Sequence, residues 1–149
     1  MKKLLLLLII PFLSFGQGWE KTYTPNEINN SEFDYLGVWC GRQTSDEGYI
    51  IFAIGYRESS CGYFTQPIII KLDSDGDEEW IKILGGDEPM IYGNDQTSGW
   101  SGGNIIETAD GGYAFTAPKT IFDDKCFGSV NDVVRSPLVK LFENGYEEW

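Results

Sequence analysis

From position 49 onward, short apolar runs alternate with clusters of Gly, Asp, Asn and Ser. Tyr49-Ile50-Ile51-Phe52-Ala53-Ile54 is one such run and Ile68-Ile69-Ile70-Lys71-Leu72 is another. The turn Asp73-Ser74-Asp75-Gly76 follows, and then Glu79-Trp80-Ile81-Lys82-Ile83-Leu84, which stops at Gly85-Gly86. Tyr113-Ala114-Phe115-Thr116 and Leu138-Val139-Lys140-Leu141 continue the pattern. β-Branched and aromatic residues dominate the runs, turn formers separate them, and no helical period is sustained past the N-terminal stretch. The pattern predicts strands throughout, in an all-β chain.

Two blocks of sequence then match in the same order. Thr44-Ser45-Asp46-Glu47-Gly48-Tyr49 parallels Thr108-Ala109-Asp110-Gly111-Gly112-Tyr113 at an offset of 64 residues. Ile70-Lys71-Leu72-Asp73-Ser74-Asp75-Gly76-Asp77-Glu78-Glu79-Trp80 parallels Val139-Lys140-Leu141-Phe142-Glu143-Asn144-Gly145-Tyr146-Glu147-Glu148-Trp149 at an offset of 69. The difference places a longer loop in the second unit, between about Lys119 and Ser136. A fainter echo sets Trp19-Glu20-Lys21-Thr22-Tyr23 beside Trp80-Ile81-Lys82-Ile83-Leu84. Self-similarity of this kind predicts a repeat architecture, with units of roughly 19–80 and 80–149. In each unit Asp-(Glu/Gly)-Gly-Tyr reads as a tight turn that launches a strand, with a glycine free to take positive φ. Asp75-Gly76 and Asn144-Gly145 are hairpin signals, and the tryptophan after each should lie on the returning strand and anchor a core.

The pattern Thr-x-Asp-Gly-Gly-Tyr, a polar loop, then Lys-Leu-Asp-x-x-Gly-x-x-x-Trp resembles secreted β-propeller-like repeat proteins of bacteria that use type IX secretion. The resemblance covers residues 17–149, with departures at Glu47, where the family favours glycine, and at Phe142, where it favours aspartate. It implies about two β-propeller-like blades of antiparallel strands. A propeller closes with about four to eight blades, so the expectation is a fragment of a larger propeller; a small sandwich is the other closure. For function it implies surface binding or adhesion.

The N-terminus bears on the compartment. Lys2 and Lys3 precede an apolar stretch, Leu4 to Phe15, and Ser14 and Gly16 are small residues placed for cleavage before Gln17. This is the layout of a signal peptide at 1–16, and the apolar run is short of the roughly 20 residues that a bilayer requires. A secreted or cell-surface protein is expected, with no membrane span once the peptide is removed.

The whole chain carries 11 basic and 23 acidic residues, net −12. Losing Lys2 and Lys3 leaves 9 against 23, net −14, which argues against nucleic acid or an anionic membrane as partner. Histidine is absent, which removes the Ser-His-Asp arrangement and the commonest zinc ligand. Of three cysteines, Cys40, Cys61 and Cys126, the last two fall in matching loops and are the expected disulfide in an oxidising compartment.

The remaining candidates are binding groups. Trp100, Trp39 and Tyr63 lie in or near loops, where their rings could stack on a sugar or a partner surface, and Trp100 sits in a Gly/Ser-rich stretch. Packing between blades is the competing role for such rings. Asp73, Asp75 and Asp77 cluster on one turn and are weak calcium candidates, since a hard cation takes carboxylate ligands but the second block keeps the turn without the cluster. No cofactor is otherwise expected and no catalytic residue is assigned. The reading is an exported non-enzymatic repeat module that binds extracellular protein or carbohydrate. The alternatives are a propeller-type polysaccharide hydrolase or lyase, with Asp123 and Asp124 as its carboxylates, and a truncated product without independent function.

Overall fold

The computed structural model describes residues 20–28, 33–59, 62–84, 98–121 and 133–149. Among these the chain is all-β, with no helix, and every strand pairing is antiparallel. Strands β1 (Tyr35–Gln43), β2 (Tyr49–Ser59), β3 (Gly62–Leu72) and β4 (Glu78–Ile83) form a meander in sequence order, the main sheet. Then come β5 (Ser98–Trp100), β6 (Asn104–Glu107), β7 (Tyr113–Thr116), β8 (Lys119–Ile121), β9 (Val133–Arg135) and β10 (Leu138–Leu141). They make a second sheet, β10-β7-β6, and a small one, β5-β8-β9. Among the described residues no sheet closes on itself.

Four turns share one design. In Thr44–Gly48, Asp73–Asp77, Thr108–Gly112 and Phe142–Tyr146, the first residue accepts a hydrogen bond from the fourth and donates one to the fifth. The fourth residue must then have positive φ, as Glu47 (69°), Gly76 (82°), Gly111 (83°) and Gly145 (79°) all do. This is the turn in which a glycine is usual, and Glu47 adopts it against the steric preference of its Cβ. The third residue of each strand-launching turn stabilises it further: Asp46 and Asp110 accept from the amides of Gly48 (3.0 Å) and Gly112 (3.3 Å).

The main sheet is buried on both faces, which is why its central strands read as nearly continuous apolar runs. Ile50, Phe52, Ile54 and Ile69 on one face pack against Ile105, Tyr113, Phe115, Val139 and Leu141 of the second sheet. Phe52 and Phe115 meet with ring centroids 5.3 Å apart, and Trp80 meets Tyr113 edge-on at 5.8 Å. On the other face Ala53, Ile68, Ile70 and Leu72 are covered by Phe33 and by the segment 20–28 through Tyr23 and Ile28. Each fully buried side chain of this size contributes about 1.5–3 kcal/mol relative to exposure.

The second sheet differs from the main one in length. β2 and β3 run unbroken for 11 residues each. At the matching places the second hairpin breaks at Ala117-Pro118 and Ser136-Pro137, splitting into β7 with β8 and β9 with β10. A proline on each strand removes a ladder donor, and the pairing restarts beyond it as the small sheet. No helix among the described residues is long and apolar enough to cross a membrane. Residues 1–16 lie outside the described residues.

Candidate functional site

The most ordered polar construction is a pair of lysine clusters. Lys71 stands next to the end of β3 and is 2 % exposed, yet all three of its N–H bonds are used. Its Nζ donates to Asp46 Oδ2 (2.7 Å), to the carbonyl of Leu72 (3.0 Å) and to Glu79 Oε2 (2.9 Å). Lys140 on β10 does the same with Asp110 Oδ2 (3.0 Å), the carbonyl of Leu141 (3.3 Å) and Glu148 Oε2 (3.2 Å). Glu79 reaches its lysine because the β3–β4 register skips it, pairing Leu72 with Glu78 and Lys71 with Trp80. Such a bulge lets Glu79 and Trp80 both turn toward the lysine side. Leu141 likewise bridges Glu147, and the amide of Lys140 donates to the carbonyl of Trp149.

Gly48 and Gly112 make room for this arrangement. A Cβ on either would lie 2.3 Å from the carbonyl oxygen of Leu72 or Leu141, and within 2.6 Å of the lysine Nζ. These glycines are required for close approach, while the positive φ of the turn belongs to the residue before each.

The electrostatics follow from the contacts. The hydrogen bond from Lys71, then that from Thr44, holds Asp46 down at about 2. Hydrogen bonds from Thr108 and Lys140 hold Asp110 below the usual carboxylate range. Burial works against the charge of Lys71, but its bonds to Asp46 and Glu79 outweigh this and raise its pKa. The bond to Asp110 raises Lys140 as well, against desolvation. Lysines that stay protonated and donate every N–H have no lone pair to offer as nucleophile or base. The clusters tie together the turn, the central strand and the returning strand of each hairpin. Their chemistry is structural.

The two sheets are joined at their ends by Glu107, which accepts from Ser45 at the backbone N–H and the hydroxyl, both at 2.7 Å. Arg42 reaches Asn104 Oδ1 at 3.4 Å. Thr65 Oγ1 donates to the carbonyl of Trp100 (2.6 Å) and accepts from its amide (2.5 Å).

The expected binding residues are spread over different settings. Trp39 is the extra residue of a bulge in β1, where Val38 pairs Ala53 and Cys40 pairs Phe52. It is 53 % exposed, and its ring lies over Gly102, whose Cβ would come 2.8 Å from it. Trp100 is half-buried, its ring 6.3 Å from that of Phe115 with Lys119 Nζ at 5.2 Å. Trp39 therefore sits beside the segment that carries Trp100, but the two rings have different surroundings. The backbone of Tyr63 belongs to β3; its side chain, like Cys61, Cys126, Asp123 and Asp124, lies outside the described residues. Cys40 is free and packs partly buried against the core.

Of the carboxylates on the Asp73 turn, that of Asp73 serves the turn itself. Asp73 Oδ1 accepts from the amides of Asp75 (2.9 Å) and Asp77 (2.8 Å), and Asp77 Oδ1 lies 3.6 Å from Lys21 Nζ. Among the described residues no three His, Cys, Asp or Glu side chains are grouped to hold a metal ion. The lysine clusters were not anticipated, although a partial signal was present: a lysine interrupts two apolar runs, Lys71 and Lys140, and a glutamate, Glu79 or Glu148, follows each at the same spacing. Comparison with protein-family models, curated proteins and solved structures finds no match for this chain.

Proposed function

We propose that the chain is an exported, non-enzymatic module of stacked β-sheet units, blade-like in the manner of propeller repeats, whose surface aromatics contact an extracellular carbohydrate or protein. The observation that carries the binding reading is Trp39. A bulge turns it out of the β1 ladder, one face of its ring rests on Gly102, and about half of the side chain stays open to solvent. A flat, pre-positioned ring loses little freedom on binding and offers a stacking platform to a sugar or a partner side chain. The signal-like residues 1–16 support export, and the matched blocks support the repeat.

The test is a glycan array run beside a pull-down from extracellular material, comparing the intact chain with Trp39→Ala. Retention of a ligand by the intact chain and its loss in Trp39→Ala, with unchanged circular dichroism, is the expected result. Equal retention by both proteins would remove Trp39 from the site. Turnover of a polysaccharide that stops in Asp123→Asn or Asp124→Asn would replace the binding reading by an enzymatic one.

A further inference from the structure

The two faces of each sheet are unlike, and they meet in one sense only. The main sheet presents its lysine-bearing face, with Ile50, Phe52, Ile69, Lys71 and Trp80, to the tyrosine-bearing face of the second sheet, with Ile105, Tyr113, Phe115, Val139 and Leu141. Lys82 lies over the ring of Tyr146, 3.8 Å from its centroid. On its other side the main sheet offers Tyr49, Ile51, Ile70 and Leu72, the matching tyrosine-bearing face, and the segment 20–28 covers it. There Lys21 contacts Asp77. By the echo of Trp19 with Trp80, Lys21 corresponds to Lys82, and Asp77 corresponds to Tyr146. The same step is taken twice along the stack, from segment 20–28 to the main sheet and from the main sheet to the second.

A third step would start from the lysine-bearing face of the second sheet. The ladders put Asn104, Thr116 and Leu138 on that face, with Ile106, Ala114 and Lys140 beside them. Ile106 is 54 % exposed, Leu138 58 % and Trp149 62 %. The main-sheet counterparts of the last two are covered: Ile69, which matches Leu138, is buried, and Trp80, which matches Trp149, is half-buried; Ile106 stands where the main sheet has the exposed Arg42. Lys140 is already engaged by its two carboxylates, as Lys71 is, so no cation is left unpaired there, and Ile106, Ala114 and Leu138 supply the apolar part of the face.

We infer that this face, Ile106, Leu138 and Trp149 around Lys140, is the docking surface for a further sheet of the same repeat. The occupant is defined by the chemistry of the contact already made. It presents a Tyr-x-Phe strand beside a Val-x-Leu strand, and it carries a carboxylate at the position of Glu107. That carboxylate would accept from the amide of Ala109 as Glu107 accepts from Ser45, and a tyrosine would meet Trp149 as Tyr113 meets Trp80. Two steps of the same head-to-tail contact favour this occupant over a surface of unrelated chemistry. The inference rests on the reading of the chain as stacked units, and it is independent of the role proposed for Trp39.

The test joins Trp149 directly to a second run of residues 81–149 and follows urea unfolding with and without Leu138→Asp in the first run. The extended chain is expected to unfold at higher urea than the original. Leu138→Asp should abolish that gain while leaving the original chain's midpoint unmoved. As a measure of proximity that does not depend on stability, Ala109→Cys in the first run and Glu107→Cys in the appended run should be joined by a short bis-maleimide. An extended chain with an unchanged midpoint and no cross-link would overturn the inference. Concentration-dependent dimers of the original chain, dispersed by Leu138→Asp, would overturn the choice of occupant and give the face to a second copy. Neither outcome alters what Trp39→Ala does to ligand retention.

Discussion

The main sheet and the second sheet carry the same lysine cluster in unlike surroundings. In the main sheet the lysine face is covered by the second sheet, the strands run unbroken for 11 residues, and Phe52 is fully buried. In the second sheet the matching face lies open, prolines shorten the strands, and Thr116 stands exposed where Phe52 would be. The cluster nevertheless has the same partners at nearly the same distances, and Lys140 is 11 % exposed against 2 % for Lys71. The lysine is buried by its own turn and hairpin, so it needs no neighbouring sheet. The apolar residues around it depend on that neighbour.

The comparison is broken most severely at Phe52. Phe52→Ala should cost about 4 kcal/mol by opening a cavity between the sheets, whereas Thr116→Ala should cost less than about 0.5 kcal/mol. Urea denaturation of the two variants checks this, and equal losses would mean that the sheets do not pack as described. Next come Gly48→Ala and Gly112→Ala. Each places a methyl group on a carbonyl oxygen within its own cluster, so each should cost about 2 kcal/mol or more, to a similar extent in the two sheets.

The pH dependence tests the clusters together. Asp46 and Asp110 have lowered pKa values, so their contribution is complete above the ordinary aspartate value near 4 and lost as pH falls, through about 2 for Asp46 and lower still for Asp110. At the other end Tyr23, raised by burial and then Glu78, and Tyr113, raised chiefly by burial, titrate at about 12. Raised values reverse the sign: for the tyrosines stability is complete below pH 10 and falls as pH rises toward 12, and the raised pKa values of Lys71 and Lys140 act in the same sense. Thermal unfolding midpoints across pH 2–12 should therefore form a plateau from about 4 to 10, with losses at both ends.

The smallest effect lies in the turns. Glu47→Gly should stabilise by about 0.5–1 kcal/mol by relieving a left-handed φ, and Gly111→Ala should destabilise by about 1 kcal/mol with no steric contact to add to it. Opposite shifts of similar size are the expected reading in urea.

Much of the fold was legible because local chemistry and tertiary structure agree. Ile68–Leu72 and Tyr49–Ile54 are β-branched or aromatic runs between turn formers, and both are central strands. The Asp-Gly and Asn-Gly turns do connect to returning segments. The tryptophan at 80 does lie on a core, but Trp149 at the matching place is exposed, because burial there depends on what covers the sheet. The break at Pro118 and Pro137 was missed, since one proline is tolerated in a strand, as Pro67 is in β3, and only two facing breaks restart the pairing. The lysine clusters were only partly legible, for a similar reason. Nothing local says that a lysine in an apolar strand points inward; that follows only when the turn 25 residues before it supplies a carboxylate. Trp39 was noted for its ring, but its presentation comes from a bulge that alternation alone does not reveal.

Each lysine cluster is self-contained and holds its own hairpin. The most direct measurement is urea unfolding of Lys71→Ala and Lys140→Ala beside the parent chain. Removing one partner of a buried ion cluster, together with its apolar stem, should lower stability by about 2–3 kcal/mol in both variants, with the two losses within about 1 kcal/mol of each other. If Lys140→Ala left the midpoint unmoved while Lys71→Ala lowered it, the cluster would owe its strength to the covering sheet, and the claim would be wrong.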